Sequence, residues 1–166
     1  MDWQTLLIAS HIIGTVFGAG GVTFAGIFYL LKRPVDPLTT LDQHFLTTTY
    51  TVLRIGIVLI VLSGFGFFIL FRLQGHSAYL YSPMMWGKMV ITVVILLNAL
   101  LHHWRRLPWS LGSVISAVSW YSALLLGVYR RVHLDFATIM GLYLVAIVIG
   151  YILMRMTQKK NIFPAA

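Results

Sequence analysis

The chain has 166 residues, 59% hydrophobic and 10% charged, with a net charge of +8 and a mean hydropathy of +0.87. A soluble domain carries roughly 25% charged residues, so a water-exposed globule is excluded. The expected fold class is an all-α, polytopic membrane bundle in a lipid bilayer, one domain over residues 1–166. The basic excess flanks the apolar runs, the pattern of membrane orientation signals and not of a nucleic-acid surface. With no cysteine, disulfides, thiolate metal sites and thiol redox chemistry are excluded as well.

Five apolar segments, about 4–31, 45–71, 84–104, 109–129 and 135–156, each approach the roughly 20 residues that cross a hydrocarbon core. They are too long, and alternate too little, for barrel strands. The first is too long for a signal-peptide core and lacks a basic start, so it is expected to be retained. Within it His11, Gly14, Gly18, Gly21 and Ala25 recur at three- and four-residue spacing and share one helix face. That face is a histidine followed by a smooth groove, open either to another helix or to a flat ligand. Lys32-Arg33-Pro34 ends this segment, and Asp36-Pro37 and Asp42 fall in the loop beyond it.

The second segment carries His44 at its start and Arg54 inside, and it ends at Arg72 and a Gln74-Gly75-His76 turn. Pro83 opens the third, which holds Lys88, Asn98, His102 and His103. Arg105-Arg106 and Pro108 precede the fourth, where Ser110, Ser113, Ser116, Ser119 and Ser122 form a small-residue packing stripe. Arg130-Arg131-Val132-His133 makes a very short last connection, and Lys159-Lys160 closes the fifth segment. Trp3, Tyr81, Trp86, Trp104 and Trp109 lie near segment ends, where amphipathic rings favour the interface.

Of the 12 basic residues, Lys32, Arg33, Arg105, Arg106, Arg155, Lys159 and Lys160 fall on one side and Arg72, Arg130 and Arg131 on the other. The more basic side faces the cytoplasm, so the amino terminus is expected outside and the carboxyl terminus inside the inner (cytoplasmic) membrane. The remaining two, Arg54 and Lys88, lie within segments, and ionisable groups there are functional candidates by default. At about 1.5 Å per residue, His11 lies about 12 Å past Trp3 and Lys88 about 9 Å past Ser82, so the two reach similar depth. Arg54 enters from the opposite side, near the level of Asn98.

His11 has two readings: a hydrogen-bonded packing histidine, or an axial ligand to haem iron with the glycine face as the wall of the macrocycle. Arg54 is expected deep, yet the four acids Asp2, Asp36, Asp42 and Asp135 all lie near segment ends. An anionic ligand such as a haem propionate would supply the missing charge. His44, His102 and His103 make a possible second metal or bis-histidine site, or are interfacial histidines. His76 and His133 fall in loops. Met84-Met85 and Met154-x-Met156 are the close methionine groups that a copper reading would use.

Taken together, His11-Ile-Ile-Gly-Thr-Val-Phe-Gly-Ala-Gly-Gly21, running to Phe28-Tyr29-Leu30, resembles the first helix of HemJ-type protoporphyrinogen oxidases. It is similar also to the first helix of CopD-type copper-resistance membrane proteins. Leu62-Ser63-Gly64-Phe65-Gly66 resembles the glycine-bearing stretch of their second helix, and Trp86-Gly87-Lys88 with Asn98 their lysine-bearing third. The resemblance covers about residues 5–106. It departs at Gly18, where the family has a tryptophan, and at a third-helix tyrosine-histidine displaced here to His102 or His103. It implies a haem-b-binding membrane redox protein, oxidising a porphyrinogen or passing electrons to quinone. His11 would be its axial ligand, with Arg54 and Lys88 as partners of propionate or substrate, and Gly14, Gly18, Gly21 and Asn98 around the cofactor. A copper transporter, or an accessory subunit of a homo-oligomer or larger membrane complex, are the alternative expectations.

Overall fold

The computed structural model describes residues 2–31, 38–104, 106–129 and 134–162. These fold into α1 (Trp3–Leu31), α2 (Thr40–Leu73), a short α3 (Ser77–Leu80), α4 (Pro83–His103), α5 (Trp109–Val128) and α6 (Phe136–Ile162), with no strand among the described residues. By length and composition α1, α2, α4, α5 and α6 can each cross a membrane, the all-α, multi-pass architecture expected. Residues 32–37, Arg105 and residues 130–133, which carry several of the expected boundary charges, lie outside the described residues. So do the side chains of Lys159 and Lys160.

Local chemistry sets the helix ends. Asp2 Oδ1 accepts from the Thr5 N–H at 2.8 Å, and Asp135 accepts from the Thr138 N–H at 3.0 Å and the Thr138 hydroxyl at 2.6 Å. Thr39 and Asp42 form a reciprocal capping box on α2: the Asp42 N–H donates to Thr39 Oγ1 at 3.2 Å and the Thr39 N–H to Asp42 Oδ2 at 2.8 Å. Three of the four acids therefore satisfy helix N-termini. Thr5 and Thr138 hold the Asp2 and Asp135 carboxyls below their ordinary value, chiefly through their hydroxyls. Because the folded value is the lower one, these caps are intact at neutral pH and loosen only as acid protonates the carboxylate. At the far end of α2, Gly75 (φ 73°) is followed by a His76 N–H donating to the Phe71 carbonyl at 2.9 Å, with Gly75 N–H to Arg72 O at 3.3 Å. This is a glycine-terminated Schellman end, and a left-handed φ favours glycine there.

The capping box starts α2 at Thr40, five residues before the segment boundary expected at 45. With 34 residues α2 is about 51 Å long against a hydrocarbon core of about 30 Å. Its polar threonine-rich first turns therefore project past the lipid.

Antiparallel α1 and α2 form the closest pair, and they meet backbone to backbone. A Cβ added to Gly56 would lie 2.9 Å from the Gly14 carbonyl oxygen and 3.0 Å from the Gly18 nitrogen. This pair docks through α1 onto α5, which also contacts α4 and α6, while α2 and α4 touch only sparsely. Trp120 of α5 is 1% exposed at the centre of a core with Val22, Leu53, Ile60, Ile91, Ile95 and Tyr143. Polar ties also bind α6 and α4 to α5. Ser119 gives its proton to the Ile115 carbonyl (2.6 Å), so Tyr143 of α6 is the donor to Ser119 Oγ at 2.7 Å. Asn98 of α4 donates from Nδ2 to the Gly112 carbonyl of α5 at 3.0 Å.

Candidate functional site

The α1–α2 glycine seam fixes what His11 meets. With Gly14 set against Gly56 and Ile60, His11 comes level with Ser63 on the neighbouring antiparallel helix, and His11 Nδ1 lies 2.8 Å from Ser63 Oγ. The Ser63 hydroxyl has one proton, which it gives to the Leu59 carbonyl at 2.6 Å. Ser63 is thus the acceptor, and the proton of a neutral His11 sits on Nδ1. The Nε2 lone pair is then free, with no partner among the described residues. Phe67 meets the His11 ring edge to face with centroids 5.7 Å apart. Lys88 is half-buried on α4, within electrostatic range of the imidazole.

The glycine face is not an open wall. A Cβ on Gly18 would fall on the six-membered ring of Trp120, and one on Gly21 would come within 2.7 Å of Leu53. With Gly14 closed by α2, the expected macrocycle surface is filled by protein: α2 backbone, Leu53, Ile60 and Trp120. The groove takes a helix and an indole.

Arg54 also departs from expectation. It is exposed, with no hydrogen bond or ion pair among the described residues. It follows Leu53, which faces the core, and adjacent residues on a helix diverge by about 100°. Because the polar turns of α2 run to Thr51, Arg54 lies about 3 Å past the start of the apolar stretch at Val52, within snorkelling reach of the interface. It is not a deep cation lacking an anion.

His44 and His103 are exposed, whereas His102 is half-buried and turned to α5. Among the described residues no group of three or more His, Asp or Glu side chains could hold a metal ion, so His44, His102 and His103 do not form a three-residue centre. His102 packs over Gly112, and its ring stands edge to face with Trp109 at 5.6 Å; Tyr50 meets the same indole edge to face at 5.9 Å. Asn98, one turn before His102, is spent on the Gly112 carbonyl, and its Oδ1 is buried without a partner. Asn98 ties α4 to α5 instead of facing the His11 region.

Sequence reasoning missed Ser63 as the partner of His11, Trp120 as the occupant of the glycine face, and Tyr50 with Trp109 beside His102. The period of each helix shows which residues share a face, but not which face of which helix it meets. Comparison of the chain with protein-family models, curated proteins and solved structures finds no match, so the site is read from its own chemistry.

Proposed function

We propose that this is a membrane redox protein that binds haem b through Nε2 of His11. The observation that carries this reading is the His11–Ser63 hydrogen bond. Histidines that ligate metals donate their other ring proton to a fixed acceptor, which sets the tautomer and aims the lone pair. Lys88, within electrostatic range of the ring, adds positive charge to this part of the bundle, which favours an anionic group on the ligand. Because Trp120 fills the glycine face, a macrocycle held by His11 would not lie on that face. Haem in such a site supplies one-electron redox chemistry, with the potential set by the axial ligand and its hydrogen bonding. The resemblance to HemJ- and CopD-type proteins supports the same reading, with porphyrinogen oxidation or electron transfer to quinone as its uses. The residues of the chain act by binding and orienting: His11 ligates, Ser63 holds the imidazole and Phe67 packs its face.

Protein purified in mild detergent from haem-replete cells should show a Soret band that shifts on dithionite reduction. His11→Ala should abolish it, while Ser63→Ala should keep haem but shift the midpoint potential. Wild-type protein without a haem spectrum ends the proposal.

A further inference from the structure

The face of α2 that carries Ser63 continues towards α3 as Phe67 and Phe71, each one turn further on. Phe67 stands edge to face with the His11 ring at 5.7 Å between centroids, and Phe71 stacks on Phe67 at 5.9 Å with 19° between their planes. Tyr79 of α3 then meets Phe71 edge to face at 5.1 Å. The glycine end of α2 makes this last contact possible, because the chain reverses at Gly75 and lays Tyr79 back over Phe71. All four rings are half-buried, and the row ends among the exposed residues Arg72, Gln74, His76 and Ala78 of the α2–α4 turn. The other ring contacts among the described residues, Phe28 with Phe45 and Trp109 with Tyr50 and His102, include no ring of this row. From His11, touching rings lead to one end of the bundle.

We infer that Phe67, Phe71 and Tyr79 are the route by which a one-electron centre held by His11 exchanges electrons with a water-soluble carrier at the α3 end of the bundle. This rests on the haem reading above and adds a partner to it. Electron tunnelling decays exponentially with distance, and more steeply across gaps than through atoms in contact. A row of touching π-systems that starts at the axial ligand therefore favours one end of the molecule over the other. Phenylalanine is too hard to oxidise to hold the charge, so Phe67 and Phe71 act as the medium and are not themselves oxidised. In the step one electron leaves the centre at His11, which is oxidised, and enters the carrier, which is reduced; no bond breaks and no proton moves. The carrier is a one-electron oxidant such as a ferric haem protein. Arg72 stands exposed at the exit, and the chain has no acidic residue between Asp42 and Asp135, so the turn suits a carrier with an acidic docking face.

Because the chain has no cysteine, Ala78→Cys in full-length, haem-loaded protein takes a single ruthenium–bipyridyl label beside Tyr79. A laser flash should then reduce the haem at a rate that falls several-fold in Phe71→Leu and in Tyr79→Leu. Tyr79→Phe keeps the ring and should keep the rate, as should Phe68→Leu, which replaces a neighbouring ring that is not in the row. The Soret band and the midpoint potential should be the same in all four variants, since a residue that merely holds the haem pocket together would move them. Oxidation of the reduced protein by ferricyanide should also slow in Phe71→Leu. It should slow when Ala78→Cys carries a bulky polyethylene-glycol maleimide, but not when Leu107→Cys at the other end does. Equal flash rates in Phe71→Leu, Tyr79→Leu and Phe68→Leu with intact Soret bands would overturn the route and leave the haem reading standing. So would ferricyanide oxidation slowed by the cap at 107 and not by the cap at 78. Wild-type protein without a Soret band would end both.

Discussion

Asn98 shows how one polar residue inside a membrane bundle divides between structure and cost. Its Nδ2 must face the Gly112 carbonyl, because only a donor satisfies that acceptor, and this leaves Oδ1 buried and unpaired. Asn98→Leu therefore removes one hydrogen bond and one stranded oxygen together, and the two effects oppose each other. Its thermal midpoint in detergent should change little, a net effect of about 1 kcal/mol or less. Asn98→Asp sets a carboxyl oxygen against the carbonyl and should destabilise clearly more than the leucine variant. Equal melts for the two variants would show that the α4–α5 bond is not formed. Residue identity alone had marked Asn98 as polar and inward, and that much was legible. That it joins α5, and that Ser63 and not a ligand takes the His11 Nδ1 proton, depends on the register between helices.

Among the elements, α1 and α2 depend on their glycines unequally. Gly56 faces backbone atoms of α1 at 2.9 and 3.0 Å, and backbone cannot rotate aside. Gly20 of the same glycine-rich run has nothing within 4 Å. Gly56→Ala should force the helices apart and lower stability by about 1–3 kcal/mol, the usual cost of overpacking, whereas Gly20→Ala should be neutral or slightly stabilising through helix propensity. Detergent unfolding curves for the two variants check this, and a harmless Gly56→Ala would contradict the backbone-to-backbone crossing. A helical period cannot separate these roles: spacing put Gly14, Gly18 and Gly21 on one face correctly, and all three are buried. It could not tell that α2, Leu53 and Trp120 would fill that face. At Gly18 the indole of Trp120 enters from α5 the space that a side chain would take.

At the scale of the whole molecule, the bundle is two units sharing one core: the α1–α2 pair, and α4 and α6 gathered on α5, joined where Trp120 meets Gly18. The resulting surface is apolar on nearly every side, with residues such as Leu62, Phe65, Leu142 and Leu144 60–68% exposed, as lipid contact requires. The distribution of basic residues predicts that the α2–α4 turn lies outside and the α4–α5 turn in the cytoplasm. Since the chain has no cysteine, each single introduced thiol reports cleanly. Gln74→Cys should react with an impermeant maleimide on intact cells, and Leu107→Cys only after permeabilisation; the reverse pattern would invert the topology.

The sequence by itself determined the apolar character of the surface, the helical class, the number of helices able to cross a membrane and the face on which His11 and its glycines lie. These follow from hydropathy and from the 3.6-residue period, both local properties. It also marked His11 and Lys88 as partners in depth, because distance along a helix is fixed by its rise. Tertiary structure alone decided what each face meets. It showed that Ser63 sets the His11 tautomer, that Trp120 occupies the glycine groove and that Arg54 lies on the exposed side of α2. It also set Tyr50 and His102 each against the indole of Trp109. The physical reason is that these outcomes depend on register and rotation between helices far apart in the chain, and packing of the whole core sets both at once.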